Sequence, residues 1–542
     1  MKLQNPILPG FNPDPSICKK GDDYYLAVSS FEWFPGIPIY HSKDLKNWVL
    51  HTHALTTNTA TDLRRLPSAK GIWAPCLSYC EAEDLFYVNY TVVNSMNARF
   101  FDVDNFVITA SDIAGPWSEP VFTHSAGFDP SMIHDEDGRK YIVSLEWETR
   151  DGYHKPGEIC CVEYDAKAKQ TIGYPKRIWM GGTQRGCIEG PHIYKKNGYY
   201  YLICAEGGTG YGHSVTVGRS KDIFGPYESD PCNPILTATP DFSEMDNDDS
   251  KKLNRYNPEN HLQKAGHGSF VETKDGEVYM VFHCSRPLLP HLRCTLGREA
   301  CMQKMKWTED GWLRTDSSTN LAPDEFVASS LSEVKVCDLP ETYYFDFENL
   351  PIDYYAPRVD PVAFAKIDTD KKQLIIRGQE SLSSLNKASL LAHKLTSLQA
   401  TLETAVTFFP EVYQEYAGAC IYYDNMDYVL LRIMIDEKLG ACVDLLQVEN
   451  GERRELTDSR TPIDASKTIY MKIEVVDREV RFSFSYEQET AYRCIGSVET
   501  SIFSDEYCQS GEFTGTFLGV FSVDAMYHKK EAVFDFITYK NI

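Results

Sequence analysis

At 542 residues the chain exceeds what one hydrophobic core supports, so two or more domains are expected. Its 33 tyrosines and 27 phenylalanines, against 8 tryptophans, favour strands, and stretches of helical periodicity are scarce, which points to the all-β class. A formal net charge of −24 excludes nucleic acid and anionic membrane surfaces as partners, since both need Lys and Arg to displace counterions; a neutral substrate suits it.

The opening residues, MKLQNPILPGFNPDPS, hold no apolar run of signal-peptide length, and no segment approaches the ~20 apolar residues of a membrane span. A cytoplasmic protein is expected. The 16 cysteines show no zinc-type pairing, so buried free thiols without structural disulfides are expected.

From residue 14 a degenerate unit recurs five times. The first opens at Asp14-Pro15-Ser16, turns at Gly21-Asp22 and continues as Tyr24-Tyr25-Leu26-Ala27-Val28. The second opens at Trp73-Ala74-Pro75, and the third at Asp129-Pro130-Ser131 with a turn at Asp137-Gly138. The fourth opens at Glu189-Gly190-Pro191 with a turn at Asn197-Gly198, and the fifth at His267-Gly268-Ser269 with a turn at Asp275-Gly276. Strand, tight turn, strand is hairpin chemistry, and the spacing of about 56 to 78 residues suits a four-stranded blade with sizeable loops. A five-bladed β-propeller over residues 1–318 follows. A polar linker, 319–338, leads to a second region, 339–542, of alternating strands without the repeat, which reads as a jelly-roll-like β-sandwich.

The innermost strand of each blade lines the axis of a propeller, so the opening residues are expected at one end of the channel. Three of them are carboxylates, Asp14, Asp129 and Glu189, from three different blades. Glycosidic cleavage needs a proton donor for the leaving oxygen and a second carboxylate across the sugar; a gap of roughly 6.5–9.5 Å admits a water and inverts configuration. A propeller mouth several strands wide favours that larger gap. Asp14 suits the base and Glu189, with its longer arm, the acid. Asp129 then supplies the nearby negative charge that keeps an acid protonated near neutrality.

At GFNPDPS (10–16), GFDPS (127–131), EGPH (189–192), GHGS (266–269) and LGRE (296–299) the chain resembles glycoside hydrolase family 43, closest to the β-xylosidases with a C-terminal β-sandwich. The resemblance spans essentially the full length and implies the same three roles: Asp14 base, Asp129 modulator of the acid, Glu189 acid. It further implies that Arg298 contacts sugar and carboxylates, that Phe31, Trp73 and Trp147 wall the pocket, and that Phe513 closes one side from the sandwich domain. It also implies a channel histidine, His267, beside which a structural calcium ion is a candidate; no cofactor is required for the chemistry. The expected activity is exo-acting, inverting release of xylose from short β-1,4-xylo-oligosaccharides by a homo-oligomer, a dimer or tetramer. The rivals are an α-L-arabinofuranosidase, as main or side activity, and a non-catalytic carbohydrate-binding propeller.

Overall fold

The computed structural model describes residues 1–57, 61–97, 100–150, 152, 157–239, 253–488, 492–509 and 513–542. Five antiparallel sheets follow one another along the chain. Blade I runs from Ser16–Lys20 to Val49–Leu55, blade II from Gly71–Cys80 to Val121–His124 and blade III from Phe128–His134 to Gln170–Trp179. Blade IV runs from Glu189–Lys196 to Glu228–Ser229, with Leu236–Thr237 beside it, and blade V from Gln263–Glu272 to Leu313–Thr315. The first strand of each blade packs on the first strands of both neighbours, so the sheets close into the expected five-bladed ring.

The hairpin turns follow from the sequence. Gly21, Gly138, Gly198 and Gly276 take the left-handed conformation that a tight turn demands (φ 62 to 85°), and in blade II, which lacks a turn glycine, Asp84 takes it (φ 49°). A second left-handed residue recurs where each inner strand begins: Asp14 (φ 53°), Ala74 (φ 42°), Asp129 (φ 55°), Gly190 (φ 56°) and His267 (φ 55°). In blades II to V the strand pairing shifts register there, as at a β-bulge, which re-aims a side chain.

Two to four residues further on, side chains bind one blade to the next. Ser269 Oγ accepts the Ile17 N–H (3.1 Å), Ser16 Oγ accepts the Leu77 N–H (3.0 Å), and the Cys76 sulfur accepts that of Met132. Ser131 Oγ donates to the Pro191 carbonyl (2.5 Å), and Tyr194 Oη accepts the Phe270 N–H (2.9 Å), completing the circuit. The chain is sealed where Lys2–Gln4 pairs with Glu325–Val327, so the segment expected as a linker returns to the propeller.

The second region is a sandwich. One sheet is built around Glu531–Asn541, Gln399–Thr407 and Ile469–Val476, the other around Phe517–Asp524, Glu415–Asp424 and Asp427–Asp436. Ile469–Val476 alternates buried and half-buried residues, as a strand with one covered face must. Eight consecutive residues of Asp427–Asp436 are instead buried, because its sheet packs on the sandwich core with one face and on the propeller with the other. Trp33 of blade I stacks on Phe517 across this junction, ring centroids 3.7 Å apart.

The absence of disulfides expected from the sequence is corrected at one place. The pairing of Phe282 with Cys301 and of Cys284 with Glu299 makes Cys284 and Cys301 diagonal neighbours on one face of blade V, with Cα atoms 6.4 Å apart, and they are joined as a disulfide.

One buried ion pair links the domains beside the channel. Lys264, three residues before His267, donates to Glu506 Oε1 at 2.5 Å and lies 3.5 Å from Asp505 Oδ2, with both partners in the sandwich. Replacing Lys264 by Met leaves buried carboxylates without their cation, which costs about 3–5 kcal/mol. The thermal midpoint of K264M is expected to fall by several degrees, and adding Glu506→Gln is expected to restore part of the loss. Equal stability of K264M and the parent in a melting experiment would contradict the pair's role.

Candidate active site

The left-handed residues at the strand starts bring Asp14 and Asp129 to one end of the channel, where both side chains are buried. Glu189 reaches the same end from a different position. The residue equivalent to Asp14 in blade IV is Gly190, and Glu189 stands one place earlier, level with Trp73 and Phe128 in blades II and III. Gly190 is needed because a β-carbon there would meet the His267 ring at 3.0 Å.

Asp14 is held from all sides. Arg298 Nη1 donates to Oδ1 (2.7 Å), Ser29 Oγ donates to Oδ2 (2.6 Å), and Nδ1 of His283 and of His267 lie 3.2 and 3.6 Å from Oδ1. Ser29 Oγ also accepts the Ala74 N–H at 2.7 Å, tying the carboxylate to blade II. Burial works to raise the pKa of Asp14, but Arg298 and then the two histidines outweigh it and hold the carboxyl well below its usual range. Asp14 is therefore ionised at any working pH.

Among the described residues, no such cation stands in hydrogen-bond contact with Asp129. Its Oδ2 accepts the Gly190 N–H at 3.0 Å, so it grips the backbone that carries Glu189. Burial, reinforced by the charge of Asp14 and opposed by His267, pushes its pKa up to about 6. Glu189 Oε1 lies 3.8 Å from His213 Nε2, with its side chain 14% exposed.

The aromatic residues form a continuous wall. Phe31 contacts Trp73 (centroids 5.6 Å apart), Trp73 contacts Phe513 edge-on (6.2 Å), and the Arg298 guanidinium lies 5.5 Å from the Phe31 and Phe513 rings. Phe513 arrives from the sandwich with φ 80°, its N–H donating to Asp505 Oδ1 (3.1 Å), and its carbonyl accepts from Arg298 Nη2 (3.3 Å). Trp147 joins this wall through Phe128, 5.9 Å from Trp73 and 6.3 Å from Trp147, and packs on Phe101 at 4.8 Å.

Sequence reasoning passed over Ser29, Phe101, Phe128, His213 and His283. Phe128 stood inside the GFDPS motif, and His283 was legible as one imidazole in the apolar run VYMVFHCS; Ser29, Phe101 and His213 carried no such mark.

The side chains grouped around His267 supply few of the oxygen donors that a calcium ion held directly by the protein would need. Asp14, His267 and His283 bring one ligand atom each within 4.8 Å of one another, but two are imidazole nitrogens and the third, Asp14 Oδ1, is bound by Arg298. Calcium takes six to eight oxygens, so this set does not fit a directly held ion.

A closed propeller that presents two buried acids, a third half-buried one and an arginine within an aromatic wall defines a glycoside hydrolase. Residues 3–313 match the family model for glycosyl hydrolases family 43, and residues 342–540 match the beta xylosidase C-terminal concanavalin A-like domain. The chain is 36% identical over 551 residues to a Bacillus subtilis (strain 168) protein named beta-xylosidase, covering 100% of both chains. It is equally 36% identical to the Humicola insolens xylosidase/arabinosidase 43B, covering 100% of this chain and 98% of that one. Among solved structures, the xylan beta-1,4-xylosidase of Bacillus halodurans C-125 superimposes with a TM-score of 0.93 at 41% identity, covering 99% of this chain and all of that one. The chain belongs to glycosyl hydrolase family 43 and is an inverting exo-glycosidase.

The raised pKa of Asp129 has a consequence for stability. An unfolded aspartate ionises near 3.8 and the folded one near 6, so between these values folding takes up a proton and stability falls as pH rises, the penalty being complete above about pH 6. Asp129→Asn keeps an oxygen for the Gly190 N–H and escapes the penalty. It is expected to exceed the parent in stability at pH 7 by on the order of 2 kcal/mol, with the gap closing by about pH 4. Urea unfolding across that range checks it; a gap independent of pH would refute the assignment.

Proposed function

We propose that the enzyme is a β-xylosidase releasing xylose from the non-reducing ends of short β-1,4-xylo-oligosaccharides. The observation that carries the reading is the buried, guanidinium-bound Asp14 carboxylate facing the same end of the channel as Glu189, under a lid from the second domain. In this reading Asp14, ionised, takes a proton from a water as that water attacks the anomeric carbon. Glu189 protonates the leaving oxygen. Asp129 fixes the Glu189 backbone through Gly190 and adds the negative charge that favours a protonated acid. Arg298 holds Asp14 in place and turns its remaining face to the sugar, whose C–H surfaces suit the Phe31, Trp73 and Phe513 rings. Phe513 closes one side of the pocket, which supports attack at a chain end.

A second activity on α-L-arabinofuranosides is supported by the Humicola relative, whose name carries both sugars. Activity on the two aryl glycosides, measured side by side, decides their ratio.

Glu189→Ala is expected to lower kcat on xylobiose by roughly 10²–10⁴-fold, while an aryl xyloside with a good leaving group, which needs no proton, loses far less. Asp14→Ala is expected to abolish both. Equal losses on both substrates in Glu189→Ala would remove Glu189 from the acid role, and residual turnover in Asp14→Ala would remove Asp14 from the base role.

A further inference from the structure

A cavity of about 200 Å³ lies where blade I, the connecting segment and the sandwich meet, and none of Asp14, Asp129 and Glu189 lines it. Asn12, Tyr40 and Trp48 line it from the propeller, Asp338 from the connecting segment, and Asp353 and Lys394 from the sandwich. It reaches solvent at Asp338, which is exposed, and at the half-buried Trp48. Lys394 is only 6% exposed, and its Nζ donates to Asn12 Oδ1 (2.9 Å) and Tyr40 Oη (3.3 Å). The rings of Tyr355, Phe11 and Tyr40 stand 5.1 to 5.8 Å from the same nitrogen. Among the described residues, no carboxylate comes within ion-pair distance of it, and burial pulls its pKa down to about 7. Two of its three N–H groups have protein acceptors, which leaves the third for an occupant.

We propose that this cavity is a second, non-catalytic site for a single neutral sugar ring, the pentose that the enzyme releases. The choice of pentose rests on the function proposed above; the choice of a neutral polyol rests on the lining. Asp353 is fixed by Tyr343, whose Oη donates to Oδ1 (2.7 Å), and by His393, whose Nε2 lies 3.3 Å from Oδ2. The cavity thus presents an amine and a carboxylate that do not pair with each other. An anion would face Asp353 and Asp338, and a cation would face Lys394. An apolar molecule would leave the spare N–H of Lys394 shut away from water without a partner.

Neighbouring hydroxyls of a sugar satisfy both groups. One accepts from Lys394 Nζ, or donates to it when the amine is neutral, and the next donates to Asp353. The C–H faces of the ring suit Trp48 and Tyr355, which also line the cavity. Trp48 Nε1 donates to the Leu45 carbonyl (3.0 Å), so the indole is already held before a sugar arrives. The volume lies below the roughly 300–1,000 Å³ of pockets for larger ligands, which suits one ring rather than a chain. The pocket also borders the support of the catalytic base. Asn12, which accepts from Lys394, stands two residues before Asp14, and its N–H donates to the carbonyl of Arg298 (2.8 Å).

Equilibrium dialysis of radiolabelled D-xylose against the full-length enzyme tests the site. One ring held by a few hydrogen bonds is expected to bind with Kd on the order of 1 mM, so concentrated protein is titrated through that range. The parent is expected to bind one more xylose per chain than Lys394→Met or Trp48→Ala. Both variants are expected to keep kcat and KM on xylobiose, and the competitive Ki of xylose, within about threefold of the parent. An equal count in the parent and both variants overturns the proposal. So does a lower count with a parallel rise in Ki, because the lost sugar then belongs to the catalytic pocket. Trp48→Ala, at the rim, carries the same readouts should Lys394→Met disturb folding. Failure of the β-xylosidase reading shows separately, as no xylose released from xylobiose by the parent, whatever the dialysis finds.

Discussion

Each inner strand enters the channel through one residue of positive φ, and the side chain at that position decides what its blade contributes to the axis. Two blades place a carboxylate there, one a methyl group, one a hydrogen atom and one an imidazole. A left-handed backbone costs a residue other than glycine roughly 1–2 kcal/mol, so four of the five positions are strained and must be held by their surroundings. The serine, cysteine and tyrosine contacts between neighbouring inner strands supply that hold, because they fix the strands immediately beyond the strained residues. The acids are thus placed by backbone geometry that the ring of blades enforces.

From that constraint the electrostatics follow. Asp14 and Asp129 occupy equivalent positions and are buried to similar depth, yet one is driven down and the other up. The main difference is Arg298, which hydrogen-bonds Asp14 but acts on Asp129 only as a weaker charge, and which is itself held by the carbonyl of Phe513 from the sandwich. The second domain therefore helps to set the ionisation of the propeller's acids as well as the shape of the pocket.

The repeat was legible because Asp-Pro-Ser recurs with its turn residues, and the convergence of the acids followed from topology alone. The offset of Glu189 from its equivalent position was hidden, because a glycine takes the strained role and only the φ angles reveal the register. His213 and His283 lie outside the opening motif: one precedes the third strand of blade IV, the other sits inside the second strand of blade V, and sequence gives neither a partner. The aromatic wall was traceable only in part, since Phe128 looked like the flank of a motif and Trp147 touches the rest through it. The disulfide escaped because it depends on diagonal placement across a strand pair, which spacing of 17 residues does not specify. The buried length of Asp427–Asp436 likewise reflects a partner domain rather than any local pattern.

The seam between Lys2–Gln4 and Glu325–Val327 joins segments more than three hundred residues apart, and the N-terminal amino group donates across it to the Ala328 carbonyl. As the chain leaves the ribosome, this closure has to wait until the fifth blade and the stretch beyond it have emerged. Asp14 acquires Arg298 only once most of the fifth blade has emerged. A nascent chain halted after four blades therefore holds all three acids but not the guanidinium that sets the first of them.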